Sequence, residues 1–307
     1  MAPQWDKALV KIARSHDPEA LPLDDRMLIY DKRTITIYDK FAKAKYHFLV
    51  LPRIPFHASS SKPALSSQGA PTLSASNGKL NFGATSSNSV PASHMKSIST
   101  LLASPYAAEV LEALREASDR VIEHITKDMQ EQYGTTWDIE RAFHAVPSME
   151  HLHLHVVSMD LVSDRLKHKK HFRSFHPTVG FALRLDDVEA MVKAGRRTLP
   201  KSEAAYEQLL KGPLMSHHTG QTFKFFPELK AHLEAYWRNS ILAPSRTSAG
   251  DAAITTSLKR DAVEQESGAS ASPSDQPPSQ LRRLDTPKAS VKEASDSEDD
   301  EPSLPFR

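Results

Sequence analysis

Apolar positions recur along this chain with two different periods, and the change of period divides it into elements. Residues 27–30, 34–39 and 46–52 alternate, or concentrate β-branched and aromatic side chains, with Asp31-Lys32-Arg33 and residues 40–45 between them. That pattern predicts successive antiparallel strands. Beyond residue 104 the period lengthens. Val110, Leu114, Ala117, Val121 and Ile125 stand three or four apart behind Ser104-Pro105, which predicts one long amphipathic helix, capped by Ser104, started by Pro105 and ending near Gly134. The strand pattern returns over 141–146 and 150–159, with Pro147-Ser148 as a turn. A strand over 179–185 then runs into a helix from Asp186, and a last helix covers 227–237. Near the N-terminus Trp5, Leu9 and Ile12 share helical spacing, a stripe expected to face the core. Several antiparallel strands around one long helix predict an α+β fold, with a sheet of about five strands, rather than a doubly wound sheet.

Two stretches carry neither period. Residues 58–94 hold eleven Ser, no Asp or Glu, and only Lys62 and Lys79 as charges, so a disordered insertion is expected there. From about residue 241 Ser and Pro are frequent, Phe306 is the only aromatic after residue 243, and the run ends in Ser295-Asp-Ser-Glu-Asp-Asp-Glu301. This predicts a disordered acidic tail over 241–307. The formal charge of +1 hides this division: 241–307 holds eight Lys/Arg against twelve Asp/Glu, a balance of −4, which leaves +5 on the rest of the chain. A mildly basic body allows a phosphate-bearing partner. The 307 residues contain no Cys, which removes disulfides, thiolate metal sites and thiol nucleophiles together. No apolar run approaches the roughly 20 residues of a membrane span, so no membrane partner is expected, and the absence of a leader pattern makes an intracellular protein the default.

Candidate chemistry concentrates in histidine. Seven of the fifteen His fall between His144 and His176, three of them in His151-Leu152-His153-Leu154-His155-Val156-Val157. On a strand the three imidazoles would emerge on one side, roughly 7 Å apart, with Leu152, Leu154 and Val156 turned to the core. Three readings follow: a solvated polar face, a metal site built from alternate imidazoles, or nucleophilic catalysis at phosphorus with the middle imidazole attacking. Next comes 164–176, with five Lys/Arg, one Asp, three His, Phe172 and Phe175. By itself this is a solvated loop; beside a phosphate-handling strand it suits a nucleic-acid backbone, with Phe172 supporting the pocket or packing beneath it, or with Phe172 and Phe175 both in the core.

The segment 151–157 resembles the histidine triad (HIT) superfamily at every position. Three flanking words are similar to its aprataxin-like branch: Phe143-His144-Ala145-Val146-Pro147-Ser148-Met149, Leu166-Lys-His-Lys-Lys-His-Phe-Arg-Ser-Phe175 and Asp39-Lys-Phe-Ala-Lys-Ala-Lys-Tyr-His-Phe-Leu-Val-Leu-Pro52. The resemblance spans about 5–56 and 98–240 and implies a HIT-like catalytic domain from 1–57 and 95–200, followed by a zinc-finger-like DNA-binding module over 201–240. It implies a DNA deadenylase: a hydrolase that removes AMP from 5′-adenylated ends left by abortive ligation, through a covalent AMP–histidine intermediate, in single-strand break repair in the nucleus. Carried across, His153 is the nucleophile, His151 and His155 its partners, and His144 an additional active-site histidine. Ser148 and Lys170 match positions touching phosphate or nucleotide, and His47 with Lys43 and Lys45 match the strand edge bordering the nucleotide pocket. Lys167 joins Lys170 as a candidate for the strand backbone. No metal is required for this chemistry. The implied partners are DNA with nicks or 5′-adenylated ends, AMP, and a repair scaffold reached through the acidic tail after phosphorylation of Ser295 and Ser297.

The C-terminal module departs from the family. Where the family places two Cys and two further zinc ligands, this chain has Ser216, Thr219, His232 and Tyr236. Only His232 keeps a ligand type, so the expectation is a metal-free helix packed by Phe223, Phe225, Phe226, Leu229, Leu233 and Trp237, with a substitute site from His217, His218 and His232 as the minor reading. Two other functions compete: a nucleotidyl hydrolase acting on small adenylated nucleotides, and a non-catalytic DNA-end binding module.

Overall fold

The structure is a computed structural model that describes residues 5–22, 25, 27–58, 75–76, 79–80 and 89–243. Its centre is a six-stranded antiparallel sheet built from β1 (Met27–Tyr30), β2 (Thr34–Tyr38), β3 (His47–Pro52), β4 (Ile139–His144), β5 (Leu154–Ser158) and β6 (Ala182–Arg184). They lie in the order β1-β2-β3-β5-β4-β6. The first three follow the sequence periods closely. The α+β class holds, with six strands where the pattern suggests about five.

One face of the sheet carries Phe48, Val50, Phe143, Leu154 and Val156 against α3 (Ala107–Tyr133), which buries Val110, Leu114, Ala117, Val121 and Ile125, the positions its spacing selects. The helix ends at Gly134, whose φ of 68° is left-handed, a conformation glycine adopts without a Cβ clash. Its start differs from expectation. Ser104 closes a preceding helix, α2 (Ile98–Ala103), opened by a Ser97/Thr100 capping box, and α3 begins three residues later with no side-chain cap. The opposite face holds Ile35, Ile37, Leu49 and Leu51, covered by Leu9 and Ile12 of α1 (Ala8–Ala13).

Two boundaries differ from the sequence reading. The end of the Ser-rich stretch is ordered: Ser89–Val90 pairs with Phe56–His57, Ala92–Met95 forms a helical turn, and Val90 and Met95 are buried in the main core. Two further pairs of residues, Ala75–Ser76 and Lys79–Leu80, are matched as short strands; the remainder of 59–88 lies outside the described residues, as does the acidic tail from 244. The second concerns the module. After α4 (Lys169–Phe175) and α5 (Leu185–Lys193), α6 (Glu203–Leu209) places Tyr206 in the same core as α3. The chain then forms a hairpin of β7 (Leu214–Met215) with β8 (Thr222–Phe223) and a last helix, α7 (Phe226–Tyr236). Among the described residues no helix is long and apolar enough to cross a membrane.

Candidate active site

Register brings the histidines together. Leu49 of β3 and Ala142 of β4 both stand opposite His155 of β5. Residues two apart on a strand share a face, so His47 and His144 flank His155 on either side. Ring centroids lie 5.2 Å apart for His47 and His155, 4.4 Å for His144 and His155, and 4.9 Å for His153 and His155. Phe175 closes the group, 4.6 Å from His144 and 5.1 Å from both His47 and His155.

His151 departs from the expected alternation. The strand begins only at Leu154, and His151 precedes it with a φ of 94°, a left-handed value uncommon for a side-chain-bearing residue. Its ring turns away from the others, and Nε2–H donates to the Pro52 carbonyl at 2.7 Å. What it offers the cluster is its backbone carbonyl, which accepts from Nδ1–H of His153 at 2.8 Å.

These bonds fix the tautomers, because a carbonyl can only accept and a backbone N–H can only donate. A neutral His153 protonated on Nδ1 has a lone pair on Nε2. At His47 the Lys43 backbone N–H donates to Nδ1 at 3.1 Å, so the ring proton sits on Nε2. That proton faces Nδ1 of His155 at 2.9 Å, with an Asp39 carboxylate oxygen 3.4 Å away. His155 is therefore protonated on Nε2, a buried donor with no partner among the described residues. The order of protons from Lys43 through His47 ends in one N–H directed into the cluster, beside a histidine with a free lone pair.

Burial pushes every imidazole in the cluster down from its usual value: His144 to about 3, His151 to about 4, and His47, His153 and His155 in the same direction. Neighbouring imidazoles push His144 and His155 further down. All five are neutral at pH 7, the form a nucleophilic imidazole requires.

Asp39, His47 and His155 place three ligand-type atoms within 4.8 Å of one another, a geometry open to a metal ion. A neutral His47 coordinating through Nε2 would carry its proton on Nδ1, where the Lys43 N–H already points. The hydrogen bonds therefore suit an ordered chain of protons better than a metal centre.

The other candidates are spread around this centre. Lys43 is half-buried, with Nζ on the Phe41 carbonyl, and burial lowers its pKa. Lys45 turns elsewhere, Nζ 4.5 Å above the Trp237 ring. Ser148 is exposed on the turn after β4, Lys167 is exposed before α4, and Lys170 is exposed on it. Asp39 and Phe175 were not among the candidate site residues. Asp39 lies in the same stretch as His47, and its N–H meets the His47 carbonyl at 2.9 Å; Phe175 had only its place within the basic run.

In the C-terminal module, His232 Nε2 lies 3.1 Å from Ser216 Oγ and 3.2 Å from Thr219 Oγ1, while Tyr236 stacks on His218 at 4.2 Å. His217 Nε2–H donates to the Met159 carbonyl. Hydroxyls and a phenol hold zinc poorly at neutral pH, and here they are engaged with one another, so these residues do not fit a zinc ion.

Two family profiles match the chain: residues 88–171 the C-terminal binding region of the scavenger mRNA decapping enzyme, and residues 178–239 a C2HE/C2H2/C2HC zinc-binding finger. Aprataxin of Gallus gallus is 28% identical over 215 residues, which cover 70% of this chain and 52% of that protein. Aprataxin of Danio rerio is 29% identical, covering 69% and 50%. The chain thus spans about half the length of these relatives. An aprataxin-like protein of Saccharomyces cerevisiae is 27% identical, covering 75% of this chain and 94% of its own. Among solved structures Hnt3 has the same fold, with a TM-score of 0.50, 21% identity, and coverage of 78% of this chain and 100% of that one. The chain is thus similar to the aprataxin-like branch of the histidine triad superfamily, and the two profile matches take in the histidine cluster apart from His47, and the C-terminal module.

Proposed function

We propose that this chain is a hydrolase that removes AMP from 5′-adenylated DNA ends through a covalent AMP–histidine intermediate. The observation that carries the reading is the pairing, on rings 4.9 Å apart, of a His153 tautomer with its lone pair on Nε2 and a His155 whose buried Nε2–H has no partner among the described residues. The lone pair attacks the adenylate phosphorus. A P–N bond forms as the bond to the DNA 5′-phosphate oxygen breaks, and the DNA leaves with the electron pair. Water then attacks the same phosphorus as the P–N bond breaks, its electron pair returning to Nε2, so that AMP and one proton pass to solvent and His153 is neutral again. The His155 N–H meets the charge that grows on a non-bridging oxygen in both steps, held in place without reorganisation.

His151 fixes the tautomer of His153, and His47 that of His155. His144, neutral and with its own Nε2 unpartnered, adds a polar group rather than a standing charge. Lys43 supplies a cation near the cluster. Exposed Ser148 is assigned a phosphate contact by the resemblance, and exposed Lys167 and Lys170 the strand phosphates, while Lys45 is held on Trp237. The catalytic unit comprises 1–57 and the chain from about residue 89 through α6, and the module beyond it faces DNA without zinc. DNA as substrate, scaffold binding by the tail and a nuclear location rest on the resemblance.

The test is AMP release from a nicked duplex bearing a 5′-adenylate, with chelator-treated protein beside its His153→Ala variant and adenosine phosphoramidate as a small comparator. We expect turnover that His153→Ala abolishes while DNA binding persists, with the duplex preferred. Retained turnover in the variant sinks the nucleophile assignment. Equal rates on both substrates favour the small-nucleotide reading, and binding without turnover the non-catalytic one.

A further inference from the structure

Helix α4 is seven residues long and has no side-chain cap at its N-terminal end, so by itself it is weak. Its place depends on what it is tied to. Arg173, only 8% exposed, projects from it into the 209–213 turn, which carries the chain from α6 into the β7–β8 hairpin. Its Nε–H donates to the Leu209 carbonyl at 2.9 Å, and Nη1 donates to the Pro213 carbonyl. No carboxylate pairs with it among the described residues, and burial pushes its pKa down. A buried cation without a counter-ion is a costly way to fill space; what it supplies is direction, two donors in a rigid plane. Gly212 packs against that plane so closely that a Cβ there would lie 2.2 Å from Nη2 and 2.6 Å from Cζ.

A second tie follows at once, His176 Nε2–H donating to the Met215 carbonyl at 3.0 Å. Between the two ties stands Phe175, the ring packed against His47, His144 and His155. Phe172 and Phe175 share one buried cluster with Leu214, Leu229 and Leu233 of the module. A path therefore runs from Gly212 to the Arg173 guanidinium, along the backbone of α4 to Phe175, and from that ring to the imidazoles.

We propose that Arg173 is a positioning residue through which the C-terminal module sets the geometry of the histidine cluster, so that the module governs turnover itself as well as any hold on nucleic acid. The kinetic part rests on the hydrolase reading above; the structural part does not. In the full chain, Arg173→Ala, Arg173→Lys and Gly212→Ala are compared with the unmodified protein on adenosine phosphoramidate, a substrate too small to lean on the module, and by imidazole 1H–15N correlations of His47, His144 and His155. Misplacement of a reacting group costs up to about 100-fold. We expect kcat on the small substrate to fall about 10- to 100-fold in Arg173→Ala and Gly212→Ala with KM little changed, the imidazole resonances to shift, and Lys to restore part of both. Unchanged resonances and an unchanged small-substrate kcat, with loss confined to KM for DNA, overturn the proposal. If Arg173→Ala does not fold, the other two variants decide. If the unmodified protein turns over neither substrate, the hydrolase reading falls and the resonances alone decide the coupling.

Discussion

At His155 a single proton has been given a fixed address. Its neighbours do not accept it: His47 donates into the ring from the other side, and His144 and Phe175 meet it through ring contacts. A buried, unsatisfied N–H costs roughly 1–3 kcal/mol in the resting protein, and an incoming phosphate oxygen relieves that cost. His155→Ala should lower kcat about 10²–10³-fold, the usual loss when one preorganised donor is removed from a charge-bearing oxygen. Single-turnover kinetics of AMP release measures it, and a loss under tenfold would assign the donor role elsewhere. The sequence made the candidates legible but not their division of labour. Alternation alone put His151 beside the others, whereas a left-handed backbone turns its ring to Pro52 and leaves its carbonyl as the contribution. Nothing in a period-two pattern announces where a strand begins, and that start decides which imidazoles converge.

Among the elements, long ones were readable because they repeat their period many times. The 27-residue α3 and the strands β1 to β3 fall where their apolar positions place them. Helices α2, α4 and α6, six or seven residues each, span under two turns; the basic run that becomes α4 reads as a solvated loop. The module boundary was illegible for a similar reason, since Tyr206 joins the main core by tertiary packing that no local pattern records. The hairpin and α7 carry their own prediction. Ser216 Oγ accepts the His218 and Thr219 N–H groups and meets His232. Ser216→Ala removes the hub and leaves its partners to find water, so it should cost roughly 1–3 kcal/mol. Urea denaturation followed by tryptophan fluorescence checks this; a change under about 0.5 kcal/mol, the size of an ordinary surface substitution, would show that the contacts are incidental.

For the whole molecule the buried imidazoles set a pH dependence. His144 and His217 are pushed down to about 3, His151 and His218 to about 4. An unfolded chain takes up protons on these groups near pH 6.5, while the folded one resists. Their contribution is therefore fully present above that value and is lost as pH falls toward 4 and 3. His151, nearly wholly buried, contributes a slope approaching about 1.4 kcal/mol per pH unit in that window. Urea midpoints measured from pH 7.5 to pH 4.5 should fall steadily below pH 6.5; a level curve would mean that the imidazoles open to solvent before they titrate. The closure of the C-terminal module bears on where such a molecule can work. Hydroxyls and an imidazole that satisfy one another present no thiolate, so peroxide finds at this closure none of the sulfur chemistry by which oxidants open a thiolate-held fold.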